Sequence, residues 1–516
     1  MRFSLGRPMA LLAACIVGAS LGIHAWYAVS TAAYVDFVTG VWLALANDLI
    51  HGVFYRDLSG PDGYGGTRYF PLFFVSVGAL MRMGVSPLVS GFLVSAFAGA
   101  LLVAGIRRLL SRFGLPPALA VAGAIFVLAP RFVQQGLLAI RSDILAAALA
   151  IWGLSWTLPA FDEDRPRRGT LAAAAAFFVL AVATKVTSLY APAAMVVALA
   201  WAGRSGAAMR LGGMVAAGVA AMVGLVAAAS GGRAVESWLA CGFAGAGMTE
   251  WLGSLPSAFL SQVVGPSRVF TSVFLAASVA WLAMVRDRGP KALIVLFPVT
   301  IAATTVVLAS PGTSYTNQLI DILAVSVVLL GWWTAARNPR WQSAAALALL
   351  LLSLAAARQS LHPVTGAGRL RHAREISAER NELVRELAAA RGPVLSESPE
   401  LLALAGVRPY LLDPFTLRVL SLRRPDLLRR LQQELDARRF SAVVLMYDPE
   451  SPAGRGWYTN VDFGWPITSR ILANYQFAEE RAGLRVYRPR ASAPAASEPA
   501  VSAADPSGIA ESVPLR

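Results

Sequence analysis

Long apolar runs decide what this chain can fold into, because about 20 apolar residues in a helix span the roughly 30 Å of hydrocarbon in a bilayer. Such runs start near Met9, Ser86, Pro116, Asp143, Thr170, Ser188, Leu211, Val269, Ala292, Gln318 and Trp341. They predict a polytopic α-helical membrane protein with about eleven transmembrane helices. Composition agrees, since 56% of the residues are hydrophobic, only 15% are charged and the mean hydropathy is +0.57. A soluble enzyme is rarely so apolar. The segment Met1 to Trp26 has a basic start and an apolar run, but no small-residue cleavage site stands out before Asp36. It is read as the first crossing rather than a removable signal.

The net charge of +15 does not point to nucleic acid, because the arginines fall in short clusters between apolar runs rather than on one basic face. They read as topology signals. With the N-terminus in the cytoplasm, the inner turns carry Arg2 and Arg7, then Arg107, Arg108 and Arg112, then Arg165, Arg167 and Arg168. Arg204 and Arg210, then Arg286, Arg288 and Lys291, then Arg337 and Arg340 follow. Every inner turn is basic, as the positive-inside rule requires. An odd number of crossings then places everything after about Arg358 outside. The expectation is a multi-pass protein of the bacterial inner membrane with a periplasmic C-terminal domain.

Three parts follow: a transmembrane domain over 1–357, a small exported α/β domain over 358–490 and a disordered Ala-, Ser- and Pro-rich tail over 491–516. In the first outer loop, from about Thr31 to Val85, YVDFVTGVWLALANDLIHGVFYRDL has apolar residues at helical spacing and reads as an interfacial helix. SGPDGYGGTRYFP is a turn-rich stretch, and PLFFVSVGALMRMG is a second interfacial helix. A further outer loop, about Gly231 to Arg268, holds Trp238, Glu250 and Trp251, which suit the headgroup layer. In the C-terminal part RHAREISAERNELVRELAAARG and PDLLRRLQQELDARR read as helices, and PVLSE, PYLLD and SAVVLMYD as strands.

The candidate chemistry rests on carboxylates and cations. Only Cys15 and Cys241 are present and the histidines (His24, His51, His362, His372) are scattered, so neither disulfides nor a local zinc site is expected. Asp36 follows the first crossing, at the lip of the membrane, where basic neighbours such as Arg56 or Arg68 would hold it ionised as a general base. The competing reading is a solvated acid on a helix face, and Asp48 and Asp57 are read as solvated or structural. Asp143 either caps the helix it opens or belongs to a site. Arg131, Arg141 and Lys185 are cations on the predicted outer side, against the positive-inside trend. Each either snorkels to a lipid phosphate or binds a substrate phosphate, Lys185 being the strongest candidate. No Walker loop, GxGxxG, GxSxG, HExxH or DxD pair stands in the outer loops, so no cofactor and no metal is expected.

Taken in order, the acid after the first crossing (VDF, Asp36), the YRD and RYFPLF loop, RSD at the start of a later crossing (Asp143), the ATK turn (Lys185) and NQLIDILA resemble bacterial GT-C glycosyltransferases. These are relatives of protein O-mannosyltransferases and aminoarabinose transferases. The resemblance covers about Met9 to Trp333. It implies a polyprenyl-phosphate-linked sugar as donor, an envelope glycan, lipid or protein as acceptor, and transfer of a hexosyl or pentosyl group by the inverting route. It implies Asp36 as the catalytic residue, and Lys185 with Arg141 or Arg131 as holders of the lipid phosphate. Asp143 and the loop residues Arg56, Tyr64 and Arg68 join the substrate-binding set. The chain departs from the aminoarabinose transferases at RYFPLF, where they carry paired prolines, and lacks the acidic pair that follows the first-loop aspartate of protein O-mannosyltransferases. A transporter or flippase is the alternative, but ionisable residues are nearly absent from the middles of the crossings and no inverted repeat is evident. A non-catalytic scaffold would need no outer cations beside an interfacial acid.

Overall fold

Backbone groups in hydrocarbon have no water to bond, so each apolar run has to satisfy them within a helix. The computed structural model describes residues 6–162, 168–242, 248–264, 267–309, 316–362, 364 and 367–491. The chain opens with α1 (Gly6–Thr31), α2 (Phe37–Ile50), a two-stranded turn of β1 (Ser59–Gly60) and β2 (Gly63–Tyr64), and α3 (Pro71–Arg82). Next come α4 (Pro87–Arg112), α5 (Pro117–Phe126), α6 (Arg131–Leu138), α7 (Asp143–Thr157), α8 (Pro159–Asp162), α9 (Arg168–Thr184) and α10 (Tyr190–Trp201). The bundle is completed by α11 (Ser205–Ser230), α12 (Arg233–Gly242), α13 (Met248–Ala258), α14 (Arg268–Arg286), α15 (Lys291–Leu308), α16 (Ile320–Ala335) and α17 (Pro339–Leu361).

Among the described residues, eight helices are long and apolar enough to cross a membrane: α1, α4, α7 continued by α8, α11, α14, α15, α16 with its preceding turn, and α17. The pair α5 and α6, bent by 69°, makes up to nine if it is one span. The runs expected to cross from Thr170 and Ser188 are shorter helices, over Gly169–Thr184 and Val186–Trp201, because Lys185 between them is extended (φ −157°) and breaks the path. Proline at the first position starts α3, α4, α5 and α17, where its missing N–H costs no hydrogen bond.

The C-terminal part starts with α18 (Ala367–Ala388) and continues through β3 (Val394–Ser396), α19 (Pro399–Leu404), α20 (Pro414–Ser421), α21 (Asp426–Asp436) and β4 (Ala442–Leu445). It ends with α22 (Pro452–Asn460), α23 (Trp465–Asn474), β5 (Tyr475–Arg481) and β6 (Leu484–Pro489). The sheet order is β3-β4-β6-β5, with β3 and β4 parallel and the rest antiparallel. Every residue of β3 and β4 is buried, as a parallel pair covered on both faces demands. PYLLD is not a strand of this sheet; Leu411 instead forms a parallel bridge with Tyr64 of the first loop. The tail expected to be disordered lies, from residue 492 on, outside the described residues.

The first loop departs most from its expected form. The segment read as an interfacial helix is α2, and every residue from Val38 to Asp48 in it is buried. It has no solvated face because α19 of the C-terminal domain covers one side and α3 another. Asp48, expected to be solvated or structural, is 2% exposed in its side chain and is gripped by Arg56 at 2.5 and 2.8 Å and by Arg408 at 3.1 Å. Trp238, expected in the headgroup layer, stacks on Phe70 at 4.2 Å; the side chains of Glu250 and Trp251 lie outside the described ones. The contact between α2 and α19 is tight at Gly40, where a Cβ would sit 2.2 Å from the Glu400 nitrogen and 2.8 Å from its Cα. Backbone cannot yield to a methyl group, and overpacking costs roughly 1–3 kcal/mol. Gly40→Ala is therefore expected to loosen the C-terminal domain, read as faster limited trypsin cleavage in α18 than in wild type.

Candidate active site

Asp36 stands at the start of α2 as its N-cap, with Thr39 completing a capping box: the Thr39 amide donates to Asp36 Oδ1 at 3.0 Å. The Thr39 hydroxyl lies 3.1 Å from the same oxygen and donates to the Ala139 carbonyl at 2.6 Å. That last bond ties the start of α2 to the end of α6. Two residues on, Arg141 Nη2 donates to Asp36 Oδ2 at 2.5 Å. Between them Ile140 has a φ of +51°, costly for a β-branched residue, and packs its side chain against Gly91 of α4. The left-handed turn aims Arg141 at the carboxylate. Asp36 remains 38% exposed in its side chain while Arg141 is 10% exposed, so one partner faces outward and the other anchors it.

Arg141 is also within electrostatic range of Asp143, which does not use its side chain as a cap. Asp143 Oδ1 accepts from Lys185 Nζ at 2.6 Å and its Oδ2 from Asn317 Nδ2 at 2.6 Å. Lys185 Nζ also donates to Gln318 Oε1 at 2.5 Å. The half-buried Asp321, next to Tyr190, closes the inner end within range of Lys185. Acid and base thus alternate from Asp36 through Arg141, Asp143 and Lys185 to Asp321, along the breaks where α1, α6, α9 and α15 hand over to the following helices. Asn317, Gln318 and Asp321 were not candidates on sequence grounds. Amides carry no charge, and nothing in NQLID marks that Asn317 meets Asp143 and Gln318 meets Lys185, partners 174 and 133 residues earlier.

The other sequence candidates fall elsewhere. Arg56 and Arg68 are not the partners of Asp36: Arg56 is 5% exposed in its side chain and committed to Asp48 and the Pro409 carbonyl, and Arg68 lies 5.4 Å over the Phe415 ring. Tyr64 is buried between the first loop and the C-terminal domain, with its hydroxyl donating to Thr416 and burial raising its pKa well above the usual range. It has no surface left for a ligand. Arg131 is exposed at the first position of α6, and Arg141 comes three residues after that helix ends. Arg131 sits near the buried His24, which bonds Gln134 at 2.6 Å and Tyr34 at 2.9 Å. Among the described residues, no three His, Cys, Asp or Glu side chains are placed to hold a metal ion.

No family model matches the chain, and no curated protein matches it. Solved structures do. ArnT from Cupriavidus metallidurans bound to undecaprenyl phosphate superposes with a TM-score of 0.57 at 13% identity, over 93% of this chain and 99% of that one. The apo oligosaccharyltransferase of Archaeoglobus fulgidus gives 0.56 at 11% identity, over 95% and 75%. The archaeal oligosaccharyltransferase AglB, in complex with an inhibitory peptide and a dolichol-phosphate, gives 0.53 at 12%, over 92% and 74%. The helix bundle and the C-terminal part together share the fold of these structures.

Proposed function

We propose that the protein is a membrane glycosyltransferase that moves a sugar from a polyprenyl-phosphate-linked donor to an envelope acceptor at the periplasmic face. The observation that carries this reading is the alternating chain of Asp36, Arg141, Asp143 and Lys185 at the helix ends, in a fold shared with proteins crystallised with undecaprenyl phosphate and dolichol-phosphate. An ionised carboxylate has about four lone-pair sites, and the two donors on Asp36, the Thr39 amide and Arg141, leave room for an acceptor hydroxyl. Arg141 and Thr39 fix the direction of the carboxylate. As the acceptor oxygen forms its bond to the anomeric carbon, its proton passes to Asp36, and the sugar–phosphate bond breaks with its electron pair leaving on the polyprenyl phosphate. A single displacement of this kind inverts the anomeric carbon. Arg141 and Lys185 present cations to the phosphate, where negative charge grows as the bond breaks.

Proteoliposomes carrying a radiolabelled sugar on polyprenyl phosphate separate this reading from a flippase. Protein-dependent release of polyprenyl phosphate supports transfer, whereas movement of intact donor between leaflets without release supports transport. The orientation has its own test. In a background lacking Cys15 and Cys241, a membrane-impermeant thiol reagent added outside is expected to label Asp62→Cys and Glu450→Cys and to leave Arg167→Cys unlabelled. The opposite pattern inverts the topology.

A further inference from the structure

The C-terminal domain reaches the turn that carries Asp36. Arg380 of α18 donates from Nη1 to the Val35 carbonyl at 3.1 Å and from Nη2 to the Ala32 carbonyl at 2.9 Å. These carbonyls belong to the connection between α1 and α2, in which Ala32 has a left-handed φ of +48°. A two-pronged guanidinium holds such a turn in one geometry. Beside the fork, Glu400 in the first turn of α19 is 5% exposed, and its Oε2 has no hydrogen-bond partner. A buried carboxylate oxygen left so is costly, whereas a protonated acid is far less so. The charged groups that act on Glu400 are Arg380 from α18 and Asp36 from the start of α2. Of the other elements packed on α19, β3 carries no charge, α4 carries charge only at Arg107, Arg108 and Arg112 at its far end, and Asp48 of α2 is already committed to two arginines.

We infer that Arg380 and Glu400 are positioning residues for Asp36, supplied by the C-terminal domain. Arg380 fixes the turn that aims the carboxylate while Glu400 is a neutral acid, and Glu400 as a carboxylate draws the guanidinium off those carbonyls and sets a second negative charge against Asp36. The inference rests on Asp36 acting as the base. Burial pushes the Glu400 pKa up to about 7, with Asp36 adding to the rise and Arg380 opposing it. For an acid raised in this way from an ordinary value of 4.5, the docked arrangement is favoured in full below about 4.5 and that advantage is lost as pH rises through about 7. The fork is thus closed in acid and released in mild alkali.

The test uses the full chain in detergent, with wild type, Glu400→Gln and Arg380→Gln each carrying Ala33→Cys on the exposed part of the turn, in a background lacking Cys15 and Cys241. Two readouts are taken across pH 6 to 8.5: thiol labelling at position 33 relative to a free thiol, and transfer kinetics. In wild type, relative labelling is expected to rise and kcat to fall about fivefold across that range, with donor KM unchanged. Glu400→Gln, which keeps shape and loses the titration, is expected to give a flat profile at the acid-side values. Arg380→Gln is expected to label fast at every pH and to lose about tenfold in kcat without a change in donor KM. A wild-type pH profile retained by Glu400→Gln overturns the inference, as does unchanged labelling in Arg380→Gln. If wild type transfers no sugar, the glycosyltransferase reading fails, while the labelling readout still decides whether the fork responds to Glu400.

Discussion

Asp36→Asn is expected to lower the rate of sugar transfer by about 10²–10⁴-fold, the range a positioned general base contributes, and to leave donor affinity unchanged. The substitution separates the capping role that this side chain has in the structure from its proposed role as a base. As an N-cap, asparagine serves about as well as aspartate, so the bond from the Thr39 amide and the start of α2 persist. Only the capacity to accept a proton and the charge opposite Arg141 are lost. An Asp36 that served only as the cap would therefore show almost no effect in the asparagine variant, since replacing the cap altogether is worth only about 1 kcal/mol. Full activity in Asp36→Asn removes it from the chemistry.

Lys185→Met is expected to show a second large effect, split between stability and binding. Lys185 and Asp143 are 15% and 11% exposed in their side chains and bonded at 2.6 Å, so removing the lysine strands a nearly buried carboxylate. Breaking such a pair from one side costs about 3–5 kcal/mol. The double variant Lys185→Met with Asp143→Asn removes both charges and is expected to recover most of the lost thermal stability in detergent. It is not expected to recover donor affinity, which should fall at least about tenfold because the proposed charge-assisted phosphate contact is gone. Thermal unfolding and binding of radiolabelled polyprenyl phosphate, measured on the same preparations, read the two effects separately. Recovery of both in the double variant would mean that Lys185 neutralises Asp143 and touches no phosphate.

Much of the bundle was legible because membrane crossing leaves a one-dimensional signal: apolar length and basic turns need no knowledge of partners. The same signal fails at α9 and α10, where Lys185 interrupts an apolar stretch, and at α2, whose periodicity suits a membrane surface equally well as burial beneath α19. In the C-terminal domain the buried strands β3 and β4 stand out as apolar runs, but β5 and β6 do not. YQFAEER is largely polar, and the hairpin turns through Ala482 and Gly483, both at positive φ, without the Asn-Gly or Asp-Gly pair that marks such turns. At the site, Asp36, Arg141, Asp143 and Lys185 could be singled out as charges at helix ends, but their pairing could not. Arg141 serves Asp36 because Thr39 binds the end of α6, a contact spanning 100 residues. Arg56 and Arg68 were drawn to Asp36 by closeness in sequence, whereas Asp48 and Phe415 take them in space. Arg380 and Glu400 gave no signal, since their importance lies entirely in where the C-terminal domain docks.

The measurement that bears most directly on the account is release of polyprenyl phosphate by purified protein in detergent, with hexosyl and pentosyl polyprenyl phosphates as donors and wild type compared with Asp36→Asn. The account predicts release by wild type, inversion at the anomeric carbon of the transferred sugar, and a rate at least about 100-fold lower in the variant. Release at equal rates in the two proteins, or transfer with retention of configuration, would contradict it.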